Sequence, residues 1–133
     1  MNISGECEVF ELASFCVIGI YVDDMDKAVE FYCGVLGFKE AERYADGCIV
    51  RLENEGPPVI LEKVESVGKI EYPGFSQVVL GIETDDIKKT SEELREKGVE
   101  LLYNEPQVFV AGLMMAMRDP SGNVLELLQF NKE

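Results

Sequence analysis

A chain of 133 residues, 47% of them hydrophobic, has room for one globular domain, and its formal net charge of −14 opposes binding to phosphate backbones. No apolar run approaches the roughly 18 residues that a membrane-spanning helix needs, so neither nucleic acid nor membrane is an expected partner. The sequence contains no histidine, which removes Ser-His-Asp and Cys-His catalysis together with the commonest transition-metal ligand.

The amino-terminal run MNISGECEVFELASF has no basic region ahead of an apolar core, so a cytoplasmic location is expected. Cys7, Cys16, Cys33 and Cys48 form no Cys-x-x-Cys pair and are expected as free thiols. The β-branched run CVIGIYV predicts a strand over 16–22. Asp23 and Asp24 follow as helix caps. Met25, Ala28, Val29, Tyr32, Val35 and Leu36 then recur at helical spacing, and Gly37 stops the helix. Strands are predicted near 38–44, 47–53 and 58–64, separated by Asp46-Gly47 and Gly56-Pro57-Pro58.

A linker, 65–75, leads to a second pass through the same order. The run SQVVLGIE predicts a strand over 76–83, Asp85 and Asp86 offer a cap, and a helix follows over about 86–97 with a thin apolar face of Ile87 and Leu94. Strands near 99–104, 107–118 and 123–130 complete the unit, with Asp119-Pro-Ser-Gly-Asn123 as the turn between the last two. The two passes run parallel in detail. VDDMDKAVEFY from Val22 reappears as TDDIKKTSEEL from Thr84, an offset of 62 positions. The fold expected is therefore α+β: a single domain, 1–133, of two βαβββ modules at about 14–65 and 76–130 that form a cupped mixed sheet and share their burial.

Strand parity assigns the faces. Ile18, Ile20 and Val22, their counterparts Val78, Leu80 and Ile82, and the pairs Val59/Leu61 and Leu125/Leu127 are expected to pack beneath the helices. The opposite faces mix apolar and polar groups, as a ligand cavity requires. Glu62 and Glu126 are the sharpest pair there, each preceded by leucine and 64 positions apart. Two carboxylates facing one groove are able to bind a hard cation, share a proton or accept hydrogen bonds; facing solvent from a half-exposed sheet, they do none of these.

Asp24 to Phe38 and Asp119 to Leu127 resemble the two signatures of the vicinal oxygen chelate superfamily, the glyoxalase, bleomycin-resistance and extradiol-dioxygenase group, over about residues 16–130. The resemblance implies the paired-module fold. It also implies, in metal-dependent members, a ligand on the first strand of each module and a glutamate on the last. The first-strand positions are Val17 and Val79; Glu62 and Glu126 are expected at the last-strand positions. Valine offers no lone pair, and two carboxylates alone hold Mg²⁺ or Ca²⁺ weakly, so no metal or other cofactor is expected. Gln77, on the face of Val79, is the nearest amide.

Metal-free, dimeric, drug-sequestering members of that superfamily are then the nearest guide. They imply a homodimer that binds a small organic ligand of cationic type, to which the negative surface is suited. The expected ligand-binding residues are Tyr21, Glu62, Glu83, Glu126, Gln77, Val17, Val79 and Phe109, with Met115 and Met117 as adaptable lining. No residue is assigned a catalytic role. A lyase or dioxygenase-type enzyme with replaced ligands, and a catalytically silent interaction subunit, are the alternative readings.

Overall fold

In the computed structural model, residues 14–132 are described. The first module runs β1 (Ile18–Val22), helix α1 (Met25–Val29), β2 (Glu40–Tyr44), β3 (Ile49–Leu52) and β4 (Val59–Lys63). The second runs β5 (Leu80–Glu83), α2 (Ile87–Glu96), β6 (Glu100–Leu101), β7 (Gln107–Phe109), β8 (Gly112–Arg118) and β9 (Val124–Phe130). Each module folds its strands in one order. The sequences β1-β4-β3-β2 and β5-β9-β8-β6 each carry one parallel pair at the edge, β1 with β4 and β5 with β9. The βαβββ plan of the repeat is thus observed twice, with β7 added against β8 in the second module, as two sheets whose parallel edge strands β1 and β5 are not hydrogen-bonded to one another.

Both helices begin where the aspartates predict. Asp24 accepts from the Lys27 backbone N–H and Asp86 from that of Lys89, each at 3.1 Å. The first helix widens after Val29 into a π-helical stretch, Glu30–Val35, which lets the consecutive residues Phe31 and Tyr32 both reach the core. On α2 the thin apolar face is completed by Ser91, buried between Ile87 and Leu94.

The predicted strand over 107–118 is instead a hairpin, β7 against β8, in register Gln107↔Met114 to Phe109↔Gly112. Gly112 causes the break. Its φ is +154°, and a Cβ there would lie 2.0 Å from the Gln129 carbonyl oxygen, so only glycine lets β8 start against β9 at that point. Val78, expected under a helix, is 81% exposed because β5 begins only at Leu80.

The main core runs through both modules: Ile20, Val22, Phe31, Tyr32 and Leu61 cluster with Ile87, Leu94, Met115, Met117, Leu125 and Leu127. A buried polar clasp joins the modules beside it. The Tyr32 hydroxyl donates to Asp119 Oδ2 at 2.7 Å, and the Ser121 and Asn123 N–H groups donate to Asp119 Oδ1, both at 2.9 Å. Asn123 Nδ2 donates to Asp119 Oδ2 and to the Tyr21 carbonyl, while the Asp23 N–H donates to Ser121 Oγ at 3.0 Å. Burial first, then the Asp119 charge, holds the Tyr32 phenol far above its ordinary value of 10.0.

Tyr32→Phe removes one hydrogen bond to a buried carboxylate and should cost about 1–3 kcal/mol in urea unfolding. The pH dependence gives a second readout. Below about pH 10 Tyr32 is protonated in both states; above it the unfolded chain loses that proton and the folded chain does not. The advantage of the natural chain over Tyr32→Phe should therefore be constant up to that pH and shrink beyond it; a gap that widens in alkali contradicts the clasp.

Candidate functional site

A cleft of about 570 Å³ opens where the edges of β1 and β5 fail to meet. Phe15, Val17, Gly19, Tyr21, Ile70 and Val78 are among its walls, and Tyr32, Leu80 and Leu125 also line it. Its size falls in the range of small-molecule sites, and its lining is mainly apolar and aromatic with a few polar groups, the Asn123 amide among them. Phe15 at 89%, Tyr21 at 59% and Val78 at 81% exposure make this a concentrated apolar surface on an acidic chain. A second cavity, of about 430 Å³, lies on the other side of Ile18, Ile20 and Tyr32 and carries Glu55 and Glu83 in its lining.

Of the residues expected from sequence, Val17 and Tyr21 face the cleft. Glu62 is half-buried and stands beside Tyr21 in the β1–β4 register. Glu83 belongs to the second cavity. Gln77 is exposed and Val79 half-buried, both just ahead of β5, and neither lines either of these two cavities. Met115 and Met117 line neither of these two cavities. They oppose Leu127 and Leu125 across the β8–β9 ladder and are fully buried in the core, so parity puts them on the helix side. Phe109 packs edge-on against Phe130 at 6.3 Å, over the outer face of the second sheet.

The strand register corrects the pairing of Glu62 with Glu126. Gly19 and Gly81 correspond under the 62-residue repeat; their partners on the last strands are Ile60 and Glu126. Glu126 therefore corresponds to Ile60, and Glu62 lies two residues further along the same face, about 7 Å away in module terms. The last strands are offset by 66 positions, two more than the 64 that separate Glu62 from Glu126.

Glu126 is also engaged. The Tyr72 hydroxyl donates to its Oε2 at 2.5 Å, and Tyr72 meets Tyr103 edge-on with ring centroids 6.4 Å apart. Burial, followed by the Glu126 hydrogen bond and charge, raises the Tyr72 phenol above its ordinary value of 10.0. Tyr72, Ile70, Phe15, Val78 and Asn123 are among the site residues that sequence reasoning missed. The available signal was a linker carrying Ile70, Tyr72 and Phe75, more apolar than a solvated connection requires.

The glyoxalase/bleomycin resistance protein/dioxygenase superfamily model matches residues 14–127. The chain belongs to that superfamily. A probable lactoylglutathione lyase of Synechocystis is 31% identical over 121 residues, covering 83% of this chain and 90% of the relative. The uncharacterized protein YurT of Bacillus subtilis is 29% identical over 125 residues, covering 85% and 96%. Among solved structures, the antibiotic binding protein TnmS3 from Streptomyces sp. CB03234 superposes with a TM-score of 0.70 at 22% identity, over 92% of this chain and 100% of that one. The fosfomycin resistance protein FosX of Listeria monocytogenes gives 0.73 at 17% identity, over 90% and 94%. At these identities the structural likeness speaks for the fold.

The superfamily's metal site can be tested against the donors present. With Val17 and Val79 just ahead of β1 and β5 and Ile60 at the module-one counterpart of Glu126, one carboxylate stands at these four positions, and it already accepts from Tyr72. Among the described residues no group of three or more Cys, Asp or Glu side chains comes together to hold a metal. These residues do not fit a transition-metal centre. Calorimetric titration with Zn²⁺ or Ni²⁺ should accordingly reveal no equimolar site of about micromolar or tighter affinity; a stoichiometric tight complex contradicts this assignment.

Proposed function

We propose that the protein is a metal-free small-molecule binder of the glyoxalase/bleomycin-resistance type, taking an organic ligand of drug or metabolite size. The observation that carries this reading is the 570 Å³ cleft walled by Phe15, Val17 and Tyr21, on a chain whose counterparts of the superfamily's metal ligands are apolar at three of four positions. The antibiotic-binding and fosfomycin-resistance neighbours support it at the level of fold. A net charge of −14 favours cationic over anionic ligands at long range.

The same reading includes a homodimer. β1 and β5 each present an unpaired edge beside exposed apolar side chains, and a second copy would close both edges and deepen the cleft. The similarity to a probable lactoylglutathione lyase supports a second reading, an enzyme of that kind. It requires chemistry without histidine and without the superfamily's usual ligand set.

Gly19 offers a clean test, since a Cβ added there meets nothing within 4 Å and the residue lines the cleft. A thermal-shift screen of aromatic and cationic compounds should find ligands that raise the melting temperature of the natural chain. Gly19→Trp should keep the fold and lose that response by at least about tenfold in affinity. Retained binding in Gly19→Trp moves the site elsewhere. Sedimentation should give twice the chain mass of 14.9 kDa; a monomer at working concentrations removes the dimer. Turnover of a hemithioacetal by the metal-stripped or metal-supplemented chain would favour the enzyme reading instead.

A further inference from the structure

Segment 69–75 is the part of the chain that the repeat does not account for. It crosses the outer face of the second sheet, where Ile70 and Tyr72 cover Met114, Ala116 and Val124. Among the described residues two polar ties fasten it to that sheet: Arg118 Nη1 donates to the Ile70 carbonyl at 2.8 Å, and the Tyr72 hydroxyl donates to Glu126 at 2.5 Å. Ile70 and Val124 are also walls of the 570 Å³ cleft. The segment is therefore a partition, with the open cleft on one side and Glu126 on the other.

What the partition holds against Glu126 indicates what that carboxylate selects. The acceptor is an anion in half-buried surroundings, so its partner must donate. Tyr72 meets the edge of Tyr103 and shares its apolar cluster with Met114 and Leu128, an apolar and adaptable frame for a flat ring. A cation brought here would have to leave water among these apolar groups, whereas a neutral hydroxyl on an aromatic ring brings the donor without a charge to desolvate.

We propose that segment 69–75 is a displaceable strap and that Tyr72 is a resident stand-in for a ligand's aromatic hydroxyl. A molecule bearing a phenol enters the cleft past Ile70, donates to Glu126 in place of Tyr72, and lifts the strap from the sheet. The proton stays on the phenol oxygen throughout and no covalent bond changes. This deepens the small-molecule reading above, on which it rests, by naming the ligand class and the residue that receives it.

The probes are 2-naphthol and 2-methoxynaphthalene, which share a ring system and differ in the donor. Calorimetry on the full chain should show 2-naphthol binding about tenfold or more tightly than its methyl ether, the range of one charge-assisted hydrogen bond. Tyr72→Phe keeps the ring and frees the carboxylate, so its affinity for 2-naphthol should rise about threefold or more, while the ether gains much less. Glu126→Leu should erase the preference for the hydroxyl. On the natural chain, saturating 2-naphthol should speed hydrogen exchange of backbone amides across 69–76, and this readout stands if either variant fails to fold. Equal binding of the two probes, abolished for both by Gly19→Trp, overturns the phenol assignment and leaves the cleft reading intact. Preference for the hydroxyl without loss of strap protection overturns the displacement. Binding of neither probe up to about 1 mM overturns the proposal and tells against the cleft as well.

Discussion

The buried carboxylate of Asp119 governs how the two modules sit. It is 4% exposed and accepts four hydrogen bonds, from the Tyr32 hydroxyl, the Ser121 and Asn123 amides, and the Asn123 side chain. Three of these close the β8–β9 turn on itself, and the fourth reaches across from the first helix. A buried anion without those donors would cost several kcal/mol, so turn and helix are bound to one geometry. That geometry sets the Asn123 amide on the Tyr21 carbonyl and the Ser121 hydroxyl on the Asp23 N–H. The free edge of β1 is thus turned towards the β8–β9 turn at its carboxyl end, and the gap left beside β5 is the cleft. The site is a consequence of the clasp.

Much of this architecture was legible in the sequence because it rests on local chemistry. The caps Asp24 and Asp86, the stop at Gly37, and the alternation of Ile20/Val22 and Leu125/Leu127 all act within a few residues of where they are read. The features that escaped involve partners far along the chain. The hairpin at Gly112 depends on the approach of the Gln129 carbonyl, which no local turn signal announces. The buried positions of Met115 and Met117 follow from parity with Leu125 and Leu127, so strict alternation along 112–118 would have placed them inside. The engagement of Glu126 by Tyr72 spans 54 positions and uses a residue in a segment taken for a linker. No pattern of short period reports such a contact.

The register shows how far the two copies have diverged. A shift of two residues preserves the face of a strand, so Glu62 and Glu126 both satisfy the parity rule while occupying different rungs. Their surroundings have diverged with them. Glu62 stands next to an exposed tyrosine at an open surface, where water can solvate it. Glu126 lies beneath a strap and requires a donor from the protein, which Tyr72 supplies. Duplication explains why both sheets exist; it does not make the two faces equivalent in chemistry.

Charge and apolar surface act at different ranges on this molecule. A net charge of −14 acts over roughly one Debye length, about 8 Å at physiological ionic strength, and draws cations inward. The exposed Phe15, Val17, Tyr21 and Val78 act only on contact, and they are gathered at one cleft. Scattered over the surface, the same side chains would add little specificity. Gathered beside a seam that the Asp119 clasp holds open, they form one apolar wall. On the proposed reading, selection at that place is set by contact chemistry, with an amide from Asn123 and a carboxylate behind Ile70, and only the rate of arrival by the acidic surface.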